Sequence, residues 1–160
     1  MASKHLWGSQ LSYNGSVEAH PLGTVRTEYD STDKTVKSYR FVATAGDTFV
    51  LDGNCLAWLT GGTTVTSDIS DADVNLPAGV GIGQIDPTSF GWIQIAGLHS
   101  SINLLDNGVA EGQSVILTAT DAKGGTIASG TAPTSKLLGV ITFGSGSAAA
   151  WLTVSDVVGV

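Results

Sequence analysis

The sequence predicts an all-β fold: an antiparallel β-sandwich or barrel with an extended N-terminal arm. Three observations carry this. Short runs of alternating apolar and polar residues fill the chain from Lys37 onward. Glycine, asparagine and aspartate punctuate those runs at close intervals, as in all-β bodies. The one stretch with helical propensity, Ala148-Ala149-Ala150-Trp151-Leu152, is short, follows glycine and leads into β-branched residues.

Residues 1–35 read as the arm. Gly8, Asn14-Gly15, His20-Pro21 and Gly23 break any period there. Leu6, Trp7, Leu11, Tyr13 and Leu22, with Val17, are too sparse for a core-facing helix, yet too apolar for a solvated tail. The first five are the candidate partner-binding residues, with Trp7 as an interface anchor. The alternative for this stretch is a first hairpin turning at Asn14-Gly15.

Residues 36–160 read as a single β domain. Ser38–Thr44 alternates, with Tyr39, Phe41 and Ala43 on one face. Ala45-Gly46-Asp47 turns into Thr48–Leu51, and Asp52-Gly53-Asn54 turns into the apolar run Cys55–Thr60. Thr63–Thr66 is β-branched and suits a pleated surface. Asp68 to Pro77 is a polar, acidic loop. Val80–Ile85 and Phe90–Ala96 alternate again, and Ser101–Leu105 and Ser114–Thr118 are further strands. Two turn-rich stretches, 121–125 and 129–135, precede the closing strands Leu137–Phe143 and Ala149–Val154.

Composition narrows the function classes. Of the 160 residues, only 13% are charged against 42% apolar, so the surface must rest on Ser, Thr, Asn and Gly, or be covered by a partner. A net charge of −7, with seven scattered basic residues, disfavours nucleic acid and anionic membranes as direct ligands. No apolar run approaches the ~20 residues of a membrane helix. The start, Met-Ala-Ser-Lys-His-Leu-Trp-Gly, lacks the apolar stretch of a secretory signal, so synthesis and use without secretion are expected.

No constellation points to catalysis, and no enzyme activity or cofactor is expected. His5, His20 and His99 lie far apart, outside metal-ligand spacing. Asp68, Asp71 and Asp73 place hard oxygens in one loop that could wrap calcium, but the EF-hand glycine and closing glutamate are missing, so no metal is assigned. Gly79-Val80-Gly81-Ile82-Gly83 alternates like a strand; its glycines suit close backbone approach better than a phosphate. There is no Gly-x-Ser-x-Gly elbow. Glu18, Glu28 and Glu111 lack the apolar setting of a catalytic acid. Cys55, the one cysteine, reads as a small buried hydrophobe. Trp58, Trp92 and Trp151 fall in strands, as core or interface anchors.

One series of segments carries a resemblance. His20-Pro21-Leu22-Gly23-Thr24-Val25 is followed by Ser38-Tyr39-Arg40-Phe41-Val42-Ala43, then by Gly91-Trp92-Ile93-Gln94-Ile95-Ala96-Gly97. Leu105-Asp106-Asn107-Gly108-Val109-Ala110-Glu111-Gly112 and Leu138-Gly139-Val140-Ile141-Thr142-Phe143 come after. This order, over most of residues 20–143, resembles the capsid decoration (cement) proteins of tailed bacteriophages. Phe41 stands where that pattern usually has Tyr, and Gln113 where it often has Asp. The resemblance implies a β-barrel or sandwich, often trimeric, made in the host cytoplasm and bound to the outer capsid surface. Its implied partners are the major capsid protein and copies of itself, with no direct nucleic acid and no membrane. A receptor- or glycan-binding module of a phage fibre or spike is the alternative. A polysaccharide hydrolase or lyase is the third reading, and it would need paired carboxylates in a groove.

Overall fold

The computed structural model describes residues 10–59, 62–70, 76–105, 109–127, 137–143 and 148–154. Among them it is all-β, with eleven strands. These are β1 (Asn14–Gly15), β2 (Val25–Asp30), β3 (Thr35–Thr44), β4 (Cys55–Trp58), β5 (Thr64–Thr66) and β6 (Leu76–Gly81). After them come β7 (Phe90–Ile102), β8 (Ser114–Leu117), β9 (Gly124–Ile127), β10 (Leu137–Phe143) and β11 (Ala148–Thr153).

Strands β3, β5, β4, β6 and β7 follow one another by hydrogen bonding, and β3 pairs with β7, which closes a five-stranded barrel. The β3–β5 pair is parallel, Ala43 opposite Thr64; the other described strand pairs are antiparallel. Val42, Leu56, Val65, Ala78, Ile93 and Ile95 fill the interior, with Val50 and Ile85 bridging beside them. The expected strand over Thr48–Leu51 is reduced to that bridge.

Strand β7 is 13 residues long and outruns the barrel. Its second half pairs with β11, and the sheet continues through β10 and β8 to β9. This open wing packs its inner face on the outside of the barrel. Val115, Leu138, Ile141, Ala150 and Leu152 meet Cys55, Ala57 and Val80 there in a second core. Strand β4 therefore serves two cores. Leu56 and Trp58 face the barrel interior while Cys55 and Ala57 face the wing. A strand buried on both sides reads as an unbroken apolar run, which is how Cys55–Leu59 looks in the sequence.

Of the glycines at 79, 81 and 83, Gly79 and Gly81 do allow close backbone approach, while Gly83 lies in open space. A side chain on Gly81 would strike the Leu51 carbonyl, and one on Gly79 would meet the Gln94 carbonyl oxygen at 2.6 Å. Strand β6 ends at Gly81 and starts at Leu76, so the acidic loop is shorter than expected and the strand earlier.

From Leu11 to Asp30 the expected arm is tied to the body. Val25–Asp30 pairs residue for residue with Thr35–Arg40, so the sheet begins within the stretch expected to be an arm. The polar residues Arg26, Glu28 and Asp30 occupy the less exposed side of β2, which hides its strand pattern from an apolar reading. Asn14-Gly15 does not turn a hairpin. It pairs with Gly91 and Phe90, and the Asn14 side chain clamps Asp86. Asn14 Oδ1 accepts from the Asp86 N–H, and Asn14 Nδ2 donates to Asp86 Oδ2, both at 3.0 Å.

Candidate functional site

Antiparallel partners project to the same side of a sheet, so the register of the wing fixes which side chains share its outer face. Leu98 on β7 stands opposite Trp151 on β11. Trp151 stands opposite Val140 on β10, Val140 opposite Ser114 on β8, and Ser114 opposite Ile127 on β9. Five strands thus contribute one row, about 19 Å long at the usual strand spacing. None of its five members carries a charge. Trp151 is 43% exposed and Val140 37%, while Leu98, Ser114 and Ile127 are half-buried.

Local rules explain why the row exists. Along β11 the inward positions are Ala148, Ala150 and Leu152, so alternation sends Trp151 outward. Gly139 lies where a Cβ would strike the Trp151 carbonyl, so β10 and β11 approach closely beside the Val140–Trp151 pair. A large exposed tryptophan next to an exposed valine is the kind of feature that marks interaction surfaces rather than monomer exteriors.

A second apolar patch lies on the β2–β3 hairpin. Tyr29 and Val36 are cross-strand partners, 65% and 55% exposed, and Val25 is exposed on the same side of β2. Between these residues Thr27 and Ser38 join hydroxyls at 3.0 Å.

The residues singled out from the sequence lie elsewhere. Leu6 and Trp7 fall outside the described residues. Leu11, Tyr13 and Leu22 are half-buried against Tyr39, Phe41 and Trp92. The Tyr13 hydroxyl donates to the Val17 carbonyl at 2.6 Å. His20 stacks edge-on to Phe41 at 5.2 Å. These side chains cover the outside of the barrel where β3 and β7 pair. Of the tryptophans, Trp92 is core, Trp58 is half-buried under Arg40 at 5.7 Å, and Trp151 is exposed.

Asp71 and Asp73 of the acidic loop also fall outside the described residues. Asp68 accepts from the Ser70 hydroxyl at 2.8 Å, and Asp121 accepts from the Ser70 N–H at 3.1 Å. No cluster of three or more metal-ligating side chains occurs among the described residues.

Ionisable groups gather on one cleft, of about 360 Å³, between β3, β7 and the loop before β4. Leu11, Ser12 and Ile82 form one wall, and Lys37, Tyr39, Asp52, Gln94 and His99 line the rest. Lys37 is buried, with Nζ donating to Asp30 at 2.7 Å and Asp33 at 2.6 Å. Burial works to lower its pKa, but the two carboxylates prevail and raise it. The hydrogen bond from Lys37 in turn holds Asp30 below the usual carboxylate range. His99 is buried and its pKa is lowered by that burial. Burial also pushes the Cys55 thiol up to about 12, so it is no nucleophile near neutral pH. The Lys37 amine is saturated by structural carboxylates.

No protein-family model matches the chain, and no curated protein is similar to it in sequence.

The wing row is the surface that sequence reasoning missed. Its signal was present in Trp151, an aromatic among alanines in alternation, but the partners that align with it come from strands up to 53 positions away in sequence (151 minus 98).

Proposed function

We propose that this chain is a non-catalytic structural protein that docks on a larger protein assembly, of the kind that decorates and cements the outer surface of a tailed-phage head. The observation that carries this reading is the uncharged row Leu98–Trp151–Val140–Ser114–Ile127 on the outer face of the wing. An acidic chain that keeps one broad face free of charge can lay that face on a neutral protein surface without desolvating ions. The ordered segments between His20 and Phe143 that resemble decoration proteins support the same reading. The proposed partners are major capsid subunits and further copies of the chain. Many copies on a symmetric lattice let modest affinity at each site suffice, since binding only the assembled shell stabilises it by mass action.

A receptor- or glycan-binding role is the second reading. Exposed Trp151 and Tyr29 favour it, because aromatic rings are common sugar platforms.

Electron microscopy of phage particles with and without the protein tests both. Loss of density from the head surface, with easier head rupture, is expected. Intact heads that no longer attach to host cells would replace the first reading with the second.

A further inference from the structure

His99 rivets the wing to the barrel. It lies on the half of β7 that belongs to the wing, 4% exposed, and its ring reaches Gly81 at the end of β6. Nε2 is 3.1 Å from the Gly81 carbonyl oxygen, and the Ser101 N–H points at Nδ1 from 3.3 Å. A backbone N–H can only donate, so Nδ1 accepts and Nε2 carries the hydrogen. The ring is held as one neutral tautomer between two backbone groups.

We propose that His99 is an acid-operated latch: proton uptake at Nδ1 removes the acceptor used by the Ser101 amide, drives the ring toward the cleft and loosens the joint between barrel and wing.

The surroundings supply both the path and the counter-charge. Asp52 Oδ1, on the loop before β4, is 3.7 Å from Nε2, and Asp52 is 64% exposed. Lys37 on β3 faces the same cleft; it is paired with Asp30 and Asp33, and its charge still opposes a proton on His99. Tyr39 on β3 also lines the cleft. Gln94 commits its amide hydrogens to the Ala96 and Leu98 carbonyls at 3.2 and 3.1 Å. Asp52 is thus the one carboxylate among the described residues placed to receive a displaced imidazolium. Burial delays the proton, so the latch works below the pH at which an exposed histidine titrates. The loop it touches is itself tied down. Gly53 N donates to Gly81 O and Asn103 N to Gly53 O, each at 3.0 Å, so movement of the ring is felt by β6 and β7 together.

The test is a pH titration of the full chain by NMR, following the His99 ring and the exchange of the Ser101 amide corrected for its intrinsic pH dependence. His99 should gain its proton below the pH at which exposed histidines titrate. Ser101 protection should fall about tenfold or more over the same range, while Val42 in the barrel keeps its protection. His99→Gln, which retains a donor but cannot titrate, should abolish the pH dependence at Ser101. Asp52→Asn should move the transition to lower pH. Protection at Ser101 that ignores the His99 titration overturns the proposal. So does equal loss in His99→Gln, or a ring that stays neutral until the whole chain unfolds. Should His99→Gln fail to fold, the two wild-type curves and Asp52→Asn decide alone.

Discussion

Val140 stands directly opposite Trp151 on adjacent strands, and both side chains are left in solvent. Cross-strand pairs of this type stabilise a sheet by only about 0.2–1 kcal/mol. Exposure at this pair is therefore poorly explained by stability alone. Val140→Glu and Trp151→Ser should each change unfolding free energy by about 1 kcal/mol or less. If the proposed docking role is right, both should weaken attachment to phage heads at least tenfold. Thermal melts and co-sedimentation with purified phage heads check this. Undiminished co-sedimentation would remove the wing from the interface.

The Cys55 thiol is sealed between β4 and the wing. Its pKa of about 12 leaves almost no thiolate at neutral pH. A thiol reagent should leave the native chain unlabelled for as long as it stays folded, then react fully in denaturant. Rapid native labelling, timed by mass spectrometry, would mean that the wing opens off the barrel.

Lys37→Ala leaves Asp30 and Asp33 facing each other without their shared cation. A fully buried pair broken this way costs about 3–5 kcal/mol, and because these carboxylates are a quarter to a third exposed, a loss of about 2 kcal/mol is expected. The pH signature has a definite sign. The Asp30 pKa is lowered in the folded chain, so its contribution is complete above the unfolded value of 3.8 and vanishes as pH falls through the folded value. Denaturant titrations should show the wild type losing this increment below about pH 4, and Lys37→Ala keeping only the smaller part that the Thr32 and Asp33 N–H groups supply.

Gly53 adopts φ +80°, and a Cβ there would sit 2.8 Å from the Ser101 carbonyl oxygen. Gly53→Ala meets both backbone strain and a collision with a strand that cannot retreat. A destabilisation of about 2–3 kcal/mol is expected by denaturant unfolding. Gly23→Ala, at φ +84° with open space around it, isolates the strain and should cost clearly less.

The fold class was legible because turns and alternation repeat along the chain. Ser114–Leu117 and Leu137–Phe143 lie where their β-branched and aliphatic runs place them. What escaped sequence reading has physical causes. Strand β2 hides because Arg26 and Glu28 form an ion pair on its less exposed side, where an apolar stripe would be sought. Asn14-Gly15 carries a strong turn signal, yet its side-chain clamp on Asp86 depends on a residue 72 positions away. Leu11, Tyr13 and Leu22 look unpartnered in sequence because Phe41 and Trp92 are remote. The row through Trp151 needs the register of five strands, and no local pattern encodes that.

Strand β7 is one continuous backbone of 13 residues, about 43 Å if fully extended, shared by the closed barrel and the open wing. A pull applied to the wing by a neighbour would travel along this single ribbon straight into the barrel wall. Hydrogen bonds to β3 would then carry the load in shear, many at once, instead of unzipping one by one. Such an arrangement resists a force along the strand better than one that peels the strands apart.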